Sequence, residues 1–166
     1  MSNVILIGMP GSGKSTIGVV LAKVLGYNFL DSDLLIQERE KRRLIEILEE
    51  DGPEAFNQIE NQVNSSIEAE RTVIATGGSA IYGEAAMHHL RDLGEVVYIR
   101  LPYEEIEERL GDLTERGISM KEGQTLHDLY EERSPLYEKY AHIAVDTEGL
   151  ELRDAVKMIK ERLRRI

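Results

Sequence analysis

Short apolar runs alternate with longer amphipathic stretches along most of the chain. The runs have the length of buried strands and lie at 3–7, 28–30, 73–75, 95–100 and 142–145. Helical spacing of apolar residues predicts helices over 14–25, from 34 through the charged segment 39–43, and over 44–50, 54–69, 84–92, 103–110, 125–140 and 150–164. Strands and helices that alternate in this order predict an α/β fold, in which helices cover both faces of a parallel sheet.

A glycine-rich segment, Gly8 to Thr16, joins the first predicted strand to the first predicted helix. Its spacing fits the phosphate-binding P-loop, G-x-x-x-x-G-K-[ST], in which backbone N–H groups surround a phosphate and the lysine reaches the β- and γ-phosphates. The candidate nucleotide-binding residues are Gly11, Ser12, Gly13, Lys14, Ser15 and Thr16. A chance glycine-rich turn is the alternative, but the strand–loop–helix context favours nucleotide binding.

Composition narrows the class of protein. The 166 residues predict one domain, 1–166, and the absence of cysteine excludes disulfides, thiolate zinc sites and thiol catalysis. The net charge of −11 argues against a nucleic-acid or anionic membrane surface. No apolar run approaches the roughly 18 residues of a membrane span, and the N-terminus lacks a signal-peptide pattern, so we expect a cytoplasmic protein.

Polar residues follow two other predicted strands where those strands end. Asp31 and Asp33 come directly after 28–30, and the turn Thr76-Gly77-Gly78-Ser79 follows 73–75. Since ligands bind at the carboxyl ends of parallel strands, we expect both segments to share one crevice with the P-loop. Two carboxylates beside a bound nucleotide suit phosphoryl transfer, which needs a metal ion and an oriented nucleophile. The alternative for these aspartates is helix N-capping.

Several further landmarks occur in a specific order. They are Phe56 with Glu60, the Thr76-Gly77-Gly78 turn, and Glu132-Arg133-Ser134-Pro135-Leu136-Tyr137 before Ala141. With the P-loop and Asp31-Ser32-Asp33, they make the chain resemble the shikimate kinase family over nearly its whole length. The resemblance implies a three-layer P-loop fold with a five-stranded parallel sheet, an acceptor-binding region at 31–62, and a lid over the nucleotide at 111–124.

On the donor side, the resemblance implies ATP and Mg²⁺ as cofactors. Lys14 and Arg116 would act as catalytic cations on the phosphates, and Arg109 would stack on adenine. Ser15 and Asp31 would hold Mg²⁺. From the residues alone, Arg109 and Arg116 have the alternative of being solvated ion pairs among nearby glutamates.

On the acceptor side, the resemblance makes Asp33 the catalytic carboxylate that holds the acceptor hydroxyl and Arg133 the arginine that binds its carboxylate. Gly77 and Gly78 would line the pocket. Two acceptor-binding positions depart from the family: Asn57 replaces a second carboxylate-binding arginine, and Ser79 replaces a glycine and adds a hydroxyl beside the pocket. Arg133 has the alternative of a surface ion pair, and the basic run 39–43 is either a solvated helix face or a substitute for the missing arginine.

Two classes of function remain open at this point. The first is an ATP-dependent kinase of a small alcohol, with shikimate, an intermediate of aromatic amino-acid biosynthesis, as the leading acceptor and another hydroxy acid or small alcohol as the alternative. The second is an ATP-binding switch that hydrolyses ATP slowly and acts through a protein partner. Nucleoside monophosphate phosphorylation is disfavoured, since it needs more arginines. For the kinase we expect a monomer that binds a small-molecule acceptor.

Overall fold

The computed structural model describes residues 2–111 and 117–163. Its strands are β1 Asn3–Ile7, β2 Asn28–Asp31, β3 Thr72–Ala75, β4 Gly94–Arg100 and β5 Ile143–Asp146. Its α-helices are α1 Lys14–Leu25, α2 Ser32–Glu40, α3 Leu44–Asp51, α4 Pro53–Ser65, α5 Glu84–Leu93, α6 Tyr103–Leu110, α7 Leu126–Tyr140 and α8 Leu152–Leu163. Each predicted strand is present within two residues of its expected bounds.

All strand pairs that form the sheet are parallel. The order across the sheet is β2-β3-β1-β4-β5, and β1 lies in the middle, paired with β3 on one side and β4 on the other. Ile5 of β1 is opposite Ile74 of β3 and Val96 of β4. Parallel strands end on the same edge, so the segments that follow β1, β2 and β3 lie side by side. The predicted α/β class is confirmed.

Alternate residues of the strands pack into two separate hydrophobic cores, one on each face of the sheet. In β1, Ile5 and Ile7 pack with α5, α6 and α7 on one face of the sheet, whereas Val4 and Leu6 pack with α1 and α8 on the other. Both faces are therefore covered, as predicted, and the central strand is apolar from Val4 to Ile7 because neither of its faces meets water. A third, smaller core belongs to α2, α3 and α4 and consists of Ile36, Ile47, Phe56 and Val63.

Two predicted helices are shorter in the structure. α2 stops at Glu40 because Lys41 adopts a left-handed conformation with φ +57°. α4 stops at Ser65, and the Ser66 hydroxyl donates to the Val63 carbonyl, 2.7 Å away, in competition with the helical bonding pattern. The buried Ile67 accounts for the longer predicted helix, because it continues the apolar spacing beyond the true end.

The predicted lid, 111–124, lies only partly within the described residues. Residues 112–116, with the predicted catalytic Arg116, are outside them, so the role of Arg116 stays a prediction. The segment from Gly117 packs on α3: a Cβ at Gly117, where φ is +60°, would lie 3.3 Å from the Ile45 nitrogen and the Leu44 Cβ. In residues 2–111 and 117–163, no helix has both the length and the hydrophobicity of a membrane span.

A buried asparagine joins the amino-terminal ends of three strands. The Asn3 amide nitrogen donates to the carbonyls of Ala69 (2.9 Å) and Leu93 (3.1 Å), and its oxygen accepts from the Thr72 N–H at 3.0 Å. Asn3 is 3% exposed, so these groups are shielded from water. The side chain thus satisfies the first N–H of β3 and two carbonyls in the segments that lead into β3 and β4.

Replacing Asn3 with alanine is expected to lower the free energy of unfolding by about 2–4 kcal/mol, because each buried polar group left unpaired costs roughly 1–3 kcal/mol. Denaturant unfolding of the variant and the parent protein measures the difference. Asn28→Ala, at the exposed start of β2, is the matched control and should change the free energy by less than about 0.5 kcal/mol. Equal losses for both variants would contradict the role given to Asn3.

Candidate active site

The P-loop wraps around the side chain of its own lysine. Gly13 adopts φ +93° at the N-terminus of α1, a conformation that favours glycine. The Lys14 ammonium donates to the carbonyls of Gly8 and Met9, both 2.8 Å away, and lies 3.4 Å from the Ser12 hydroxyl. Burial lowers the pKa of Lys14 to about 8, although Asp33 opposes the shift. The loop therefore holds a cation at the positive end of a helix, where it can bind phosphate.

Ser15 and Asp31 come together beside this loop. The Ser15 hydroxyl donates to Asp31 Oδ2 at 3.0 Å, and Asp31 Oδ1 accepts from the Asp33 backbone N–H at 2.9 Å. Asp31 is thus the N-cap of α2, as the alternative interpretation had it, and at the same time contacts the first turn of α1. Ser15 and Thr16 are both exposed to solvent at the start of α1. The resulting hydroxyl–carboxylate pair supplies the hard oxygen atoms that Mg²⁺ prefers.

Two carboxyl groups, the buried Glu60 and the partly buried Asp33, converge on Gly77 in the turn after β3. A Cβ at Gly77 would lie 2.6 Å from Asp33 Oδ1 and 2.9 Å from Glu60 Oε2, so no larger residue fits there unless these groups move. Burial is the main cause that raises the pKa of Asp33 to about 6, and the neighbouring Asp31 adds to it. Burial likewise raises the pKa of Glu60 to about 7. Perturbed acids in a crevice are typical of functional sites.

Glu60 was not among the site residues predicted from the sequence. It is 1% exposed and lies one turn after Phe56 in α4, on the same buried face. That spacing is the signal in the sequence: an acidic residue at i+4 from a core aromatic points inward. Within the described residues, Glu60 Oε1 accepts from the Ser79 hydroxyl at 2.5 Å, and Oε2 has no hydrogen-bond partner. The hydroxyl at Ser79 therefore bonds to Glu60, although the residue also lines the cavity described below.

Arg133 is the other buried cation. It is 1% exposed, its Nη2 donates to the Ser119 carbonyl at 2.6 Å, and its Nε donates to the Tyr82 hydroxyl at 3.3 Å. The guanidinium also lies over the Tyr82 ring, 5.2 Å from its centroid. Its Nη1 faces Gly78, since a Cβ there would be 3.0 Å from that nitrogen. The surface ion pair considered for Arg133 is therefore wrong.

The P-loop, Asp33, the Gly77-Gly78 turn and Arg133 surround one cavity of about 280 Å³ at the carboxyl edge of the sheet. Its walls come from the P-loop, the helices α1–α4 and α7, the turn after β3 and the segment after Gly117. The lining residues are Pro10, Gly11, Gly13, Lys14, Ser15, Thr16, Asp33, Leu44, Phe56, Thr76, Gly77, Gly78, Ser79, Gly117, Ile118, Ser119 and Arg133. The expectation that the P-loop, Asp33 and the glycine turn share one crevice is confirmed, whereas Asp31 does not line this cavity.

Asn57 lies in a neighbouring cavity of about 420 Å³, whose lining includes Tyr82, Ser119, Lys121 and Glu132. Its Oδ1 accepts from the Ser119 hydroxyl at 3.0 Å. Ser119 lines both cavities, so it forms the wall between them. Asn57 thus does not line the P-loop cavity, because Ser119 lies between its side chain and that cavity.

Arg109 lies on the other side of the P-loop. It donates to Glu105 at 3.1 Å and approaches the Gly11 carbonyl at 3.4 Å. It lines a third cavity, of about 240 Å³, together with Ser12, Gly13, Thr16, Ile17, Thr147, Leu150, Leu152 and Ala155. Arg109 therefore forms the ion pair of the alternative interpretation and also lies beside the P-loop.

The basic run 39–43 does not line any of these three cavities. Arg42 bonds to Glu50 and Asp51, at 2.9 and 2.8 Å, and Arg43 bonds to Glu46 at 2.8 Å. These cations pair with acids of α3, which agrees with the interpretation of the basic run as a solvated helix face. The alternative that the run replaces the missing arginine at the acceptor site is therefore not supported.

Comparison with known proteins identifies the family. The family model described as shikimate kinase matches residues 10–164. The chain belongs to the shikimate kinase family. The shikimate kinase of Thermodesulfovibrio yellowstonii is 36% identical over 97% of this chain and 95% of its own, and that of Moorella thermoacetica is 35% identical over 98% and 94%.

Solved structures of the shikimate kinase family have the same architecture. Shikimate kinase from Acinetobacter baumannii, solved in complex with shikimate, superposes with a TM-score of 0.88 at 33% identity, covering 98% of this chain and 93% of that one. The enzyme from Aquifex aeolicus gives 0.84 at 34% identity, with 98% and 96% covered. Membership makes the chain a phosphotransferase that acts on an alcohol group, in a family that uses ATP as phosphate donor. A regulatory ATP switch is not favoured.

The raised pKa of Glu60 predicts a pH-dependent stability. Between about pH 4.5 and 7 the folded protein keeps a proton on Glu60 that the unfolded chain releases, so the free energy of unfolding falls as the pH rises through this range. Glu60→Gln keeps an oxygen for Ser79 but does not ionise. On going from about pH 5 to about pH 8, the variant should therefore gain roughly 2–3 kcal/mol relative to the parent protein.

Denaturant unfolding at both pH values measures this difference. Asp33, Arg133 and Lys14 also face Glu60, but they are present in both proteins, so the comparison isolates Glu60. Glu54→Gln, an exposed glutamate of the same helix, is the control and should show no such gain. A constant difference between Glu60→Gln and the parent protein at the two pH values would contradict a raised pKa.

Proposed function

We propose that this chain transfers the γ-phosphoryl group of ATP to a hydroxyl of shikimate, giving ADP and shikimate 3-phosphate, a step of aromatic amino-acid biosynthesis. One observation carries the proposal: beyond the P-loop, Asp33 and Arg133 line the same cavity. A carboxylate to accept a hydroxyl proton and a guanidinium to bind a carboxylate match the two polar ends of shikimate. The complex of the Acinetobacter baumannii relative with shikimate supports the same acceptor.

The donor half of the reaction belongs to the P-loop. Its backbone amides and the N-terminus of α1 bind the β- and γ-phosphates, and Lys14 neutralises charge that builds up on them. We place adenine in the cavity beside Arg109, which is continuous with the P-loop through Ser12, Gly13 and Thr16. Arg116 is proposed as a further phosphate-binding cation on the strength of the sequence pattern.

Asp33 orients the acceptor. Its pKa near 6 leaves it largely ionised at neutral pH, yet basic enough to take the proton from the hydroxyl as transfer proceeds. The acceptor oxygen forms a bond to the γ-phosphorus, the bond from that phosphorus to the β–γ bridging oxygen breaks, and ADP leaves with the electron pair. Arg133 holds the carboxylate at the far end, so the hydroxyl faces the phosphate.

The residues present fit one Mg²⁺ ion. Ser15 and Asp31 offer a hydroxyl and a carboxylate oxygen within 3.0 Å of each other. In residues 2–111 and 117–163 no cluster of three or more His, Cys, Asp or Glu forms a metal site, which suits an ion held largely by water and phosphate. When bound, Mg²⁺ would neutralise phosphate charge.

We propose further that the enzyme is a cytoplasmic monomer comprising a single kinase domain, 1–166, with an acceptor region at 31–62 and a lid at 111–124. A net charge of −11 supports a small-molecule acceptor over a nucleic-acid or membrane partner. Sedimentation at the concentration used for assays measures the oligomeric state.

The function is tested by release of ADP from Mg·ATP with and without shikimate. We expect turnover that depends on shikimate and saturates with it, because the acceptor hydroxyl consumes the γ-phosphate. A panel of other hydroxy acids measures selectivity. ADP release that is the same without any acceptor would overturn the proposal, and so would a preference for another hydroxy acid.

Replacing Asp33 with asparagine is expected to reduce kcat by about 10²–10⁴, because the amide cannot accept the hydroxyl proton. The affinity for ATP, measured by calorimetry, should stay close to that of the parent enzyme, since the P-loop is untouched. Asp92→Asn, at an exposed position of α5, controls for the loss of one negative charge. Normal turnover by Asp33→Asn would remove Asp33 from the mechanism.

A further inference from the structure

We propose that Ser119 is a positioning residue that connects Asn57 to Arg133 and so sets the affinity of the acceptor site. The inference rests on the proposed function, because Arg133 is the group that would bind the acceptor carboxylate. It gives a role to Asn57, which has no direct place in the P-loop cavity.

Ser119 is bonded on both sides. Its carbonyl oxygen accepts from Arg133 Nη2 at 2.6 Å, and its hydroxyl donates to Asn57 Oδ1 at 3.0 Å. Ser119 is 6% exposed and Arg133 is 1% exposed, so water competes little for these bonds. A continuous path of hydrogen bonds therefore runs from α4, through the segment after Gly117, to α7.

The Arg133 guanidinium is rigid and planar, so holding part of it directs the rest. Ser119 binds one terminal nitrogen, and Tyr82 binds Nε and lies against the face of the group. The remaining nitrogen, Nη1, is thereby directed towards Gly78, inside the P-loop cavity. An orientation fixed before binding reduces the entropy that the acceptor must lose.

Asn57 is better suited to positioning Ser119 than to binding the acceptor directly. Its side chain lies in the neighbouring cavity and is neutral, and its amide oxygen holds the Ser119 hydroxyl. The segment that contains Ser119 is also held two residues earlier, where Gly117 packs closely against Leu44 and Ile45 of α3. Asn57 thus adds a polar attachment to a segment that also packs on α3 through Gly117 and on the core through Ile118 and Met120.

The test is a double-mutant cycle with Ser119→Ala and Asn57→Ala, assayed for shikimate-dependent ADP release. Each single variant should raise the KM for shikimate about three- to tenfold, the worth of one neutral hydrogen bond, with kcat and the KM for ATP near those of the parent enzyme. The double variant should be no worse than either single one, because both remove the same bond. Ser119→Thr, which keeps the hydroxyl, should restore the KM.

Ser66→Ala is the matched control, since it removes a serine bond of similar length, 2.7 Å, at the far end of α4. Additive losses in the double variant, or an unchanged KM for shikimate, would overturn the positioning role. A fall in kcat with an equal rise in both KM values would also overturn it, because that is the result of general destabilisation.

A second readout does not depend on turnover. The side-chain Nε–H resonance of Arg133 in an NMR spectrum reports the environment of the guanidinium. It should shift in Ser119→Ala and in Asn57→Ala and stay unchanged in Ser66→Ala. If the parent enzyme does not turn over shikimate, the proposed function fails while this shift still supports the connection; turnover with an unmoved resonance means that the connection fails alone.

Discussion

Four charged groups packed close together, three of them buried and Asp33 partly buried, are the constraint on which the rest of this site depends. Lys14 and Arg133 are cations, Asp33 and Glu60 are acids, and each pair comes from different elements of the fold. Burying a charge is costly unless opposite charges and hydrogen bonds compensate it. The two cations offset part of this cost by lowering the pKa of both acids, but burial outweighs them, so both acids keep raised pKa values.

Asn57 and Ser79, the two expected departures from the family pattern, each make a neutral hydrogen bond in the structure. Asn57 accepts from the Ser119 hydroxyl in the neighbouring cavity. The Ser79 hydroxyl donates to one oxygen of Glu60, and the raised pKa of Glu60, about 7, lets this carboxyl hold a proton near neutral pH. Neither contact changes the charge of the P-loop cavity, which Lys14, Asp33 and Arg133 line.

Local patterns were enough to predict the strands, the P-loop and the order of the elements. The loop from Gly8 to Thr16 is a single continuous segment. Its glycines, its lysine and the strand before it are enough to predict a phosphate-binding loop. The ends of α2 and α4 were predicted less well, because Lys41 adopts a left-handed conformation without being glycine and Ile67 continues the apolar spacing past the helix. Residues far apart in sequence could not be joined by pattern alone, so the contacts of Ser79 with Glu60 and of Ser119 with Asn57 and Arg133 emerge only from the structure.

The separate small core of α2, α3 and α4 has a consequence for how such an enzyme diversifies. Ile36, Ile47, Phe56 and Val63 form a packing unit of their own, while the P-loop is anchored on the two layers that sandwich the sheet. Asp33, Asn57 and Glu60 are all carried by helices of the small unit. Mutations that repack this unit can therefore reshape the choice of acceptor while the P-loop keeps its packing on the sheet. Asp31, the N-cap of α2, also bonds to Ser15, so the start of α2 is the place where such changes would reach the nucleotide half of the reaction.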